Sequence, residues 1–511
     1  MNLKINLIVF YLFISLISSA QAYKSANEFS DIEIDAQITE VQPMTGIVFW
    51  TTNGNKDTDA ISLEYSYMLF NEVVDGNSDY DWQAVEDKLN DVASRNHQAI
   101  FRFRYVYPGY ETAVPDYIKN LSDYNETEGI SEGQTTWFPD WTHSELESFT
   151  LEFYKKFAER YDNDPRLAFI QVGFGLWGEY HIYDGPFVLG ETFPSKEFQT
   201  NFFEHLDTTF KQTHFSISID AADDTYSPFS VNAELLSIHF GLFDDSFMHE
   251  DHSGYNTESW NFFDRNRFQH SPAGGEFSYY TDFDQQHVLD PTGNFGTSYE
   301  DFASNFHISY MIGNDQPDYQ TMDRIKEASI ASGYKFKLIS CKTSTDSSKI
   351  EVKNIGIAPI YYDAYIAVNG VKDDETLKFL KPGETKLYKI ASGGSNPQIT
   401  IECDRLVDGQ EIQYEGTKDY TTSVKKSKIL TDFKIYPSVL NKGELLNIRL
   451  NDASQSTIHI NIYDISGKIV YSNSIESKSI VLNTSKFTSG IYILKLKNTE
   501  NIYPTQKFIV K

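Results

Sequence analysis

Between residues 46 and 335, short β-type runs alternate with segments of helical periodicity, and this alternation constrains the fold more than any other feature. Strands and helices in regular alternation predict a parallel sheet covered by helices. Roughly 250 residues with eight such strands is the size of a (β/α)₈ barrel, so we expect an α/β chain built on a TIM barrel. The eight predicted strands are Gly46–Trp50, Leu63–Asn71, Ala99–Val106, Leu167–Gly175, His214–Ala221, Leu235–Phe240, Gly274–Tyr280 and Phe306–Ile312.

The pattern changes after Tyr334, where alternating strands such as "KFKLISC" and "KIEVKNIG" are separated by the turn signals "VNG" and "KPGE". This pattern predicts a β-sandwich over residues 336–420. A Lys- and Ser-rich stretch predicts a linker over 421–432, and a small β module follows over 433–511. Cys341 and Cys403 fall in the predicted sandwich, and their pairing stays open because sequence does not show whether they approach each other.

The N-terminus has the three parts of a secretory signal: Lys4, the apolar run Ile5 to Ile17, and a small-residue cleavage site at Ala20 to Ala22. We therefore expect a signal peptide over 1–22 and a barrel domain over 23–335. No other apolar run approaches the length of a membrane span, so we expect no transmembrane segment after signal removal.

The chain has 43 Lys and Arg residues against 73 Asp and Glu residues, a formal net charge of −30. Such an acidic surplus argues against nucleic acid or an anionic membrane surface as a partner. No phosphate-binding glycine loop or nucleotide fingerprint occurs, so we expect no cofactor. The acidic and histidine-containing loops lack the spacing of a metal site, so we also expect no metal.

Two glutamates are the main candidates for catalysis. Glu179, in "FGLWGEYH", follows the predicted fourth strand, and Glu276, in "SPAGGEF", lies on the predicted seventh. Side chains at the carboxyl ends of barrel strands meet in one shared mouth. Hydrolysis of a glycosidic bond needs two carboxyl groups on either side of it, one protonated and one ionised. The sequence therefore predicts a glycosidase-type pair.

Several other polar and aromatic residues are candidates for substrate binding. Arg102 and Arg104 alternate on the third strand and so point the same way; one could bind an acidic group of a sugar, or both could pair with carboxylates of the barrel. His181 could bind substrate or cap its loop, and Trp177 and Tyr180 could form a sugar-stacking platform or simply pack. The remaining candidates near strand ends are Tyr67, Asn71, Asp220, His239 and Tyr310.

The last 80 or so residues resemble a known export module. The phrases "IYPSVLNKGELLNIRL", "INIYDISGKIVYS" and "FTSGIYILKL" occur in the order typical of the C-terminal sorting domain of the Bacteroidota type IX secretion system. This resemblance implies the type IX secretion machinery as a partner and a location outside the cell or on its outer surface.

The barrel resembles the large clan of retaining glycoside hydrolases in which an acid/base glutamate follows the fourth strand and a nucleophile lies on the seventh. That resemblance implies Glu179 as the acid/base and Glu276 as the nucleophile. The clan usually has Asn immediately before the acid/base, whereas this chain has Gly178. Residues 40–415 also resemble the bacterial family called domain of unknown function 4832, through "LEYSYMLFNEV", "IFRFRYVYPG", "DPRLAFIQVGFGLWGEYH", "PAGGEF" and "HISYMIGN". Members of that family are commonly placed among glycosidases of polysaccharide-utilisation loci.

These observations lead to one main hypothesis and two alternatives. We expect a secreted retaining glycoside hydrolase of a Bacteroidota polysaccharide-utilisation system, acting on an algal, acidic or sulfated polysaccharide or on its oligosaccharides. The first alternative is a surface carbohydrate-binding protein that lacks catalysis, which Gly178 favours. The second is a polysaccharide lyase, in which Arg102 or Arg104 would neutralise a uronic acid.

Overall fold

The computed structural model describes residues 28–418, 433–450, 458–464, 468–475, 479–497 and 505–511. The predicted signal peptide over 1–22 and the predicted linker over 421–432 lie outside these ranges. Within them, no helix combines the length and the apolar character that crossing a membrane requires. The chain divides into two compact units, residues 1–418 and 419–511.

The first unit contains a closed barrel of eight strands in which every neighbouring pair is parallel. Strands follow each other around the ring in chain order, as in a (β/α)₈ barrel. This confirms the predicted fold class. The strands are β1 (Gly46–Trp50), β2 (Leu63–Leu69), β3 (Gln98–Arg104), β4 (Leu167–Val172), β5 (His214–Ser218), β6 (Gly241–Phe247), β7 (Ala273–Phe277) and β8 (Tyr310–Ile312).

Seven of the predicted strands overlap the observed ones, but the sixth was wrong. The predicted segment Leu235–Phe240 overlaps a 3₁₀ turn at Ala233–Ser237, and β6 begins only at Gly241. Leu235 is buried, so its apolar character reflects a packed turn rather than a strand. The real strand reads GLFDDSF, and its two aspartates conceal the apolar run that a barrel strand normally shows.

Helices lie between the strands and bury one face against the barrel. All six residues of β4 are buried, and the long helix before it buries eight side chains, five of them aromatic. A buried strand covered by an apolar helix face is the expected packing of an α/β barrel. The helices are α1 (Gln83–Ala93), α2 (Asp116–Lys119), α3 (Ser144–Tyr161), α4 (Lys196–Thr209), α5 (Ser253–Phe262), α6 (Asp282–His287), α7 (Tyr299–Phe306) and α8 (Met322–Ala331).

A β-sandwich follows the barrel within the same unit. One sheet contains β9, β10, β13 and β15 together with Ser30–Asp31, and the other contains β11, β12 and β14. Ser30–Asp31 falls in the range predicted for the barrel but pairs antiparallel with β9. Cys341 and Cys403 are both buried free thiols. The strands are β9 (Phe336–Thr343), β10 (Ser348–Asn354), β11 (Ala364–Val368), β12 (Val371–Lys372), β13 (Thr385–Ile390), β14 (Ile399–Cys403) and β15 (Tyr414–Glu415).

The sandwich packs against the amino-terminal ends of the barrel strands. Arg405 is buried and donates hydrogen bonds from Nη2 to the carbonyl of Leu167 at 2.6 Å and from Nη1 to the carbonyl of Asp162 at 3.0 Å. His214, the first residue of β5, lies 3.1 Å through Nε2 from the carbonyl of Tyr361. These contacts close one end of the barrel, so the opposite end is left for a site.

The second unit consists of two small antiparallel-rich sheets. The three-stranded sheet has the order β16, β18, β21, and the five-stranded sheet has the order β17, β23, β22, β19, β20. Its core contains alternating apolar residues such as Ile458, Ile460 and Ile462. The strands are β16 (Phe433–Tyr436), β17 (Val439–Leu440), β18 (Leu445–Leu450), β19 (Ile458–Asp464), β20 (Ile469–Ile475), β21 (Ser479–Asn483), β22 (Gly490–Lys497) and β23 (Gln506–Val510).

Candidate active site

A compact turn at the carboxyl end of β4 carries Glu179. The backbone N–H of Gly175 donates to the carbonyl of Glu179 at 2.8 Å, so residues 173–181 fold back on themselves. Added Cβ atoms at Gly173 and Gly175 would lie 2.3 and 2.0 Å from backbone oxygens of the same turn. Glycine is therefore required at both positions, and the turn holds the carboxyl group of Glu179 in the mouth of the barrel.

Glu179 is 4% exposed and pairs with Arg102 from β3. Nη1 of Arg102 lies 2.6 Å from Oε1 of Glu179. The other side of the guanidinium is bound as well, because Nε and Nη2 of Arg102 donate to Oε1 of Gln171 at 2.9 and 2.6 Å. Arg102 thus links the Glu179 carboxyl group to Gln171 through charge-assisted hydrogen bonds, which fix the position of that carboxyl group.

Gly178, where the glycosidase clan has Asn, is explained by packing. Its φ is +70°, in the left-handed region that favours glycine. A Cβ at this position would lie 3.1 Å from Cβ of Arg104 and 3.2 Å from Cδ of Arg102. The two arginines occupy the space that an Asn side chain would need, so the absence of Asn here follows from the presence of Arg102 and Arg104.

Glu276, the fourth residue of β7, is partly exposed in the same mouth. Burial, and then the negative charge of Glu179, raise the pKa of Glu276 to about 8, while the charge of Arg102 acts in the opposite direction. Glu179 and Arg102 are thus close enough to influence Glu276 electrostatically. A pKa raised this far favours the protonated form of Glu276 at neutral pH.

His181 and Asp220 form a second polar pair beside Glu179. Nδ1 of His181 lies 2.5 Å from Oδ2 of Asp220, and Nε2 of His181 lies 3.8 Å from Oε2 of Glu179. Burial lowers the pKa of His181, but the hydrogen bond and charge of Asp220 and the charge of Glu179 outweigh it and raise the pKa overall. Asp220 therefore orients the ring, so that Nε2 faces the carboxyl group of Glu179.

Asp245 is a member of the site that the sequence did not indicate. The register of β6 against β7 shifts between Asp244 and Phe247. Asp244 is buried and accepts hydrogen bonds from Asn256 and Trp260, whereas the carboxyl group of Asp245 is hydrogen-bonded to Glu179. Burial and nearby carboxylates raise the pKa of Asp245 well above its usual value. The sequence feature that indicates Asp245 is the pair of aspartates in GLFDDSF. It was missed because the predicted sixth strand ends at Phe240, before this segment.

Three of these groups could hold a metal ion, although the sequence predicted none. Oxygen or nitrogen atoms of Glu179, His181 and Asp245 all lie within 4.8 Å of one another. Two carboxylates and one imidazole are ligands that divalent transition metals accept. Without a cation, the carboxyl groups of Asp245 and Glu179 contact each other through the hydrogen bond described above, and His181 lies beside them.

The aromatic platform has a different composition from the one predicted. Tyr180 is fully buried and donates from its hydroxyl to Gln199 at 2.5 Å, so its prediction as a sugar-stacking residue was wrong. Trp177 instead stacks on Tyr183, with ring centroids 5.8 Å apart and planes 21° from parallel. Tyr183 is 55% exposed, so this pair presents an aromatic surface at the rim of the mouth.

Two further candidates, His239 and Tyr310, lie away from the open mouth, whereas Asn71 follows the carboxyl end of β2. His239 precedes β6 and lines a cavity of about 340 Å³ with His214 and Phe379 at the sandwich end of the barrel, so its prediction as a mouth residue was wrong. Tyr310 is fully buried inside the barrel, where its hydroxyl accepts from Nε2 of Gln171 at 2.9 Å. Through this hydrogen bond Tyr310 holds Gln171 in place, and Gln171 in turn binds Arg102. Asn71 is exposed in a 3₁₀ turn after β2.

Tyr67 and Arg104 lie at the mouth near β3. The ring of Tyr67 contacts those of Trp50, Tyr65 and Tyr107 at centroid distances of 5.6, 5.3 and 5.8 Å. The guanidinium carbon of Arg104 lies 4.5 Å from the centroid of Tyr107. The mouth therefore combines the carboxyl groups of Glu179, Asp245 and Glu276 with aromatic and cationic groups. Chemically, this arrangement can protonate a leaving oxygen on one side and offer a carboxylate on the other.

Among the comparisons with known proteins, a family model matches only the C-terminal part of the chain. No curated protein matches it. An immunoglobulin-like β-sandwich protein of the DUF3244 family from Bacteroides vulgatus is 25% identical over 14% of this chain and 77% of that chain, with a TM-score of 0.12. The galactosidase domain of an alpha-galactosidase-sucrose kinase is 10% identical over 69% of this chain and 55% of that chain, with a TM-score of 0.31. At these TM-scores neither likeness indicates a shared function.

Residues 434–511 match the family model described as the secretion system C-terminal sorting domain. This match confirms the predicted sorting domain, which implies the type IX secretion machinery as a partner. The chain therefore carries a C-terminal sorting domain of the type IX secretion system, which implies secretion or a place on the outer cell surface.

Proposed function

We propose that this protein is a secreted glycoside hydrolase that acts on a polysaccharide or its oligosaccharides, with algal polysaccharides as the first candidates. The observation that carries the proposal is the presence of two carboxyl groups in one barrel mouth, one of which is paired with an arginine. Nη1 of Arg102 lies 2.6 Å from Oε1 of Glu179, and burial and the charge of Glu179 raise the pKa of Glu276 to about 8. Glycosidases need one protonated and one ionised carboxyl group at the scissile bond.

The ion pair of Glu179 with Arg102 and the raised pKa of Glu276 support roles opposite to those that the clan resemblance implies. In our proposal Glu276 donates its proton to the leaving glycosidic oxygen, and the carboxylate of Glu179 attacks the anomeric carbon. The resulting glycosyl-enzyme is then hydrolysed by water, with Glu276 acting as the base. Arg102 and Asp245 position the Glu179 carboxylate, and His181 faces it from the other side.

Activity on a panel of algal and plant polysaccharides tests the proposal. We expect soluble oligosaccharides by chromatography, with retained anomeric configuration in the first product by NMR. Products with absorbance of an unsaturated sugar would instead support a lyase, and binding without product would support a carbohydrate-binding protein. Assays with EDTA and with added Zn²⁺ separate a metal-free mechanism from one that needs a cation at Glu179, His181 and Asp245.

Two variants separate the roles of the carboxyl groups. Glu276→Gln should lower turnover of natural substrates by about 10²–10⁴-fold, the usual contribution of a general acid. It should still react with aryl glycosides, whose leaving groups need no proton, and azide should restore its turnover. Glu179→Gln should lose both activities. Glu72→Gln, an exposed glutamate, is the matched control. Equal loss of aryl glycoside cleavage in both variants would contradict these roles.

A further inference from the structure

Arg104 differs from the other barrel arginines in having no hydrogen-bond acceptor. In the described part of the chain, Arg95, Arg102, Arg160, Arg166, Arg265, Arg267 and Arg324 each donate to a carboxylate or a carbonyl. Arg104 forms no ion pair there, and its Nε is shielded from solvent without an acceptor. In a chain with 73 acidic residues against 43 basic ones, an arginine that contacts neither a carboxylate nor a carbonyl is unexpected.

The surroundings of Arg104 are aromatic rather than acidic. Its guanidinium carbon lies 4.5, 5.8 and 6.0 Å from the ring centroids of Tyr107, Tyr67 and Tyr110. Burial lowers the pKa of Arg104, and no carboxylate beside it offsets that effect. Aromatic faces hold a guanidinium plane in place while leaving its N–H groups free to bind an anion.

Arg104 is also next to the proposed catalytic pair. Its Cβ is 3.1 Å from the point where a Cβ of Gly178 would lie, and Gly178 precedes Glu179. Tyr110 is 60% exposed, and Tyr107 contacts Trp177 at a centroid distance of 6.4 Å. Open aromatic surface and an unpaired guanidinium therefore adjoin the position where a glycosidic bond would be cleaved.

We propose that Arg104, with Tyr107 and Tyr110, forms a subsite for an anionic sugar, binding the carboxylate of a uronic acid or a sulfate ester on the unit beside the scissile bond. The inference rests on the proposed function for the location of that bond. A planar guanidinium fork matches both oxyanions, whereas a neutral hydroxyl would not compensate for the desolvated charge. The Glu179 carboxyl group opposes an anion only weakly because it is paired with Arg102, and the raised pKa of Glu276 acts in the same direction.

Calorimetric titration of the inactive Glu276→Gln protein tests this subsite without requiring turnover. The probes are uronic acid oligosaccharides with their methyl esters, and sulfated galactan oligosaccharides with their desulfated forms. We expect one charged set to bind at least tenfold more tightly than its neutral counterpart, with affinity that falls as salt rises. The set that shows this preference identifies carboxylate or sulfate as the bound group.

Adding Arg104→Gln should remove the preference, weakening the charged ligand at least tenfold and the neutral one less than twofold. Arg104→Lys should restore part of the affinity, because it returns the charge but not the fork. Arg160→Gln, a surface arginine paired with Glu86, is the matched control and should change neither affinity. Melting temperatures establish that the variants fold.

Three results would overturn the subsite. They are charged and neutral ligands binding equally, Arg104→Gln weakening both alike, and neither charged set binding at all. Failure of the hydrolase proposal looks different: the Arg104-dependent preference would persist while the wild-type protein released no product. Hydrolysis of neutral substrates that is indifferent to Arg104→Gln would leave the hydrolase intact and remove the subsite.

Discussion

The two ends of the barrel each contain a buried arginine, and the partners of the two arginines differ in kind. At the mouth, Arg102 contacts the carboxylate of Glu179. At the sandwich end, Arg405 donates to the carbonyls of Leu167 and Asp162 and lies 4.6 Å from the ring centroid of Tyr362. Carbonyl groups cannot change charge, so Arg405 is suited to holding two domains together. The partner of Arg102 is a group that can react.

Each end also contains a titratable group, and the pKa values of these two groups are shifted in opposite directions. Burial raises the pKa of Glu276 at the mouth to about 8 and lowers the pKa of His214 at the sandwich end to about 4. Both groups are therefore uncharged near pH 7. Burial is the largest cause of the shift at both ends, and only the mouth adds a carboxyl group, that of Glu179, which raises the pKa of Glu276 further.

The largest expected effect comes from replacing Arg102 with methionine, an apolar residue of similar length, and Arg405→Met is the variant to compare with it. Arg102→Met leaves Glu179 buried without a cation, which should cost about 3–5 kcal/mol of unfolding free energy and abolish activity. Arg405→Met leaves neutral carbonyls unpaired and should cost about 2–3 kcal/mol while hydrolysis persists. Urea denaturation and product release measure the two effects.

A double variant sharpens this prediction. Arg102→Met combined with Glu179→Gln removes the uncompensated charge and should recover most of the lost stability, whereas activity stays absent. Arg405→Met with Glu179→Gln should show additive losses, because the two sites do not share partners. An Arg102→Met protein as stable as wild type would contradict the pairing as a stabilising contact.

The second-largest effect is a loss of folding stability as pH rises, caused by Glu276 at the mouth. The folded protein holds the proton of Glu276 up to about pH 8, whereas the unfolded chain releases it near the usual value of 4.5. Between these values the folded state binds more protons, so stability falls as pH rises. As pH rises from 5 to 8, the melting temperature of Glu276→Gln should increase relative to that of wild type. Glu72→Gln should follow wild type throughout.

The smallest effect is the opposite dependence at the sandwich end. Burial lowers the pKa of His214 to about 4; the hydrogen bond from Nε2 of His214 to the carbonyl of Tyr361 opposes this shift, and the charges of Lys378, Arg405 and His239 add to it. The unfolded chain binds the extra proton below pH 6.5, so stability falls as pH falls from 6.5 to 4. His214→Gln should flatten this part of the stability curve. His287→Gln, on the surface, should not, and an equal flattening would show that His214 is not responsible.

Part of the site could be predicted from the sequence because a barrel exposes side chains at a known end of each strand. Glu179, Glu276, His181 and Asp220 all lie at that end, as expected from their positions after β4, β5 and on β7. The same reasoning failed for His239, because the start of β6 was misplaced, and for Tyr180, because its loop folds back into the core. Errors of a few residues reverse which end, or which face, a side chain occupies.

Strand and helix periodicity, together with three phrases near the C-terminus, were sufficient for the barrel and the sorting domain, because both depend on local patterns that recur along the chain. The tertiary structure alone decided that Arg102 belongs to Glu179, that Asp245 joins it through a shift of register, and that Arg104 is left unpaired. Pairing between charges on separate strands depends on through-space distance, and protonation depends on burial. Neither quantity is written in the order of residues.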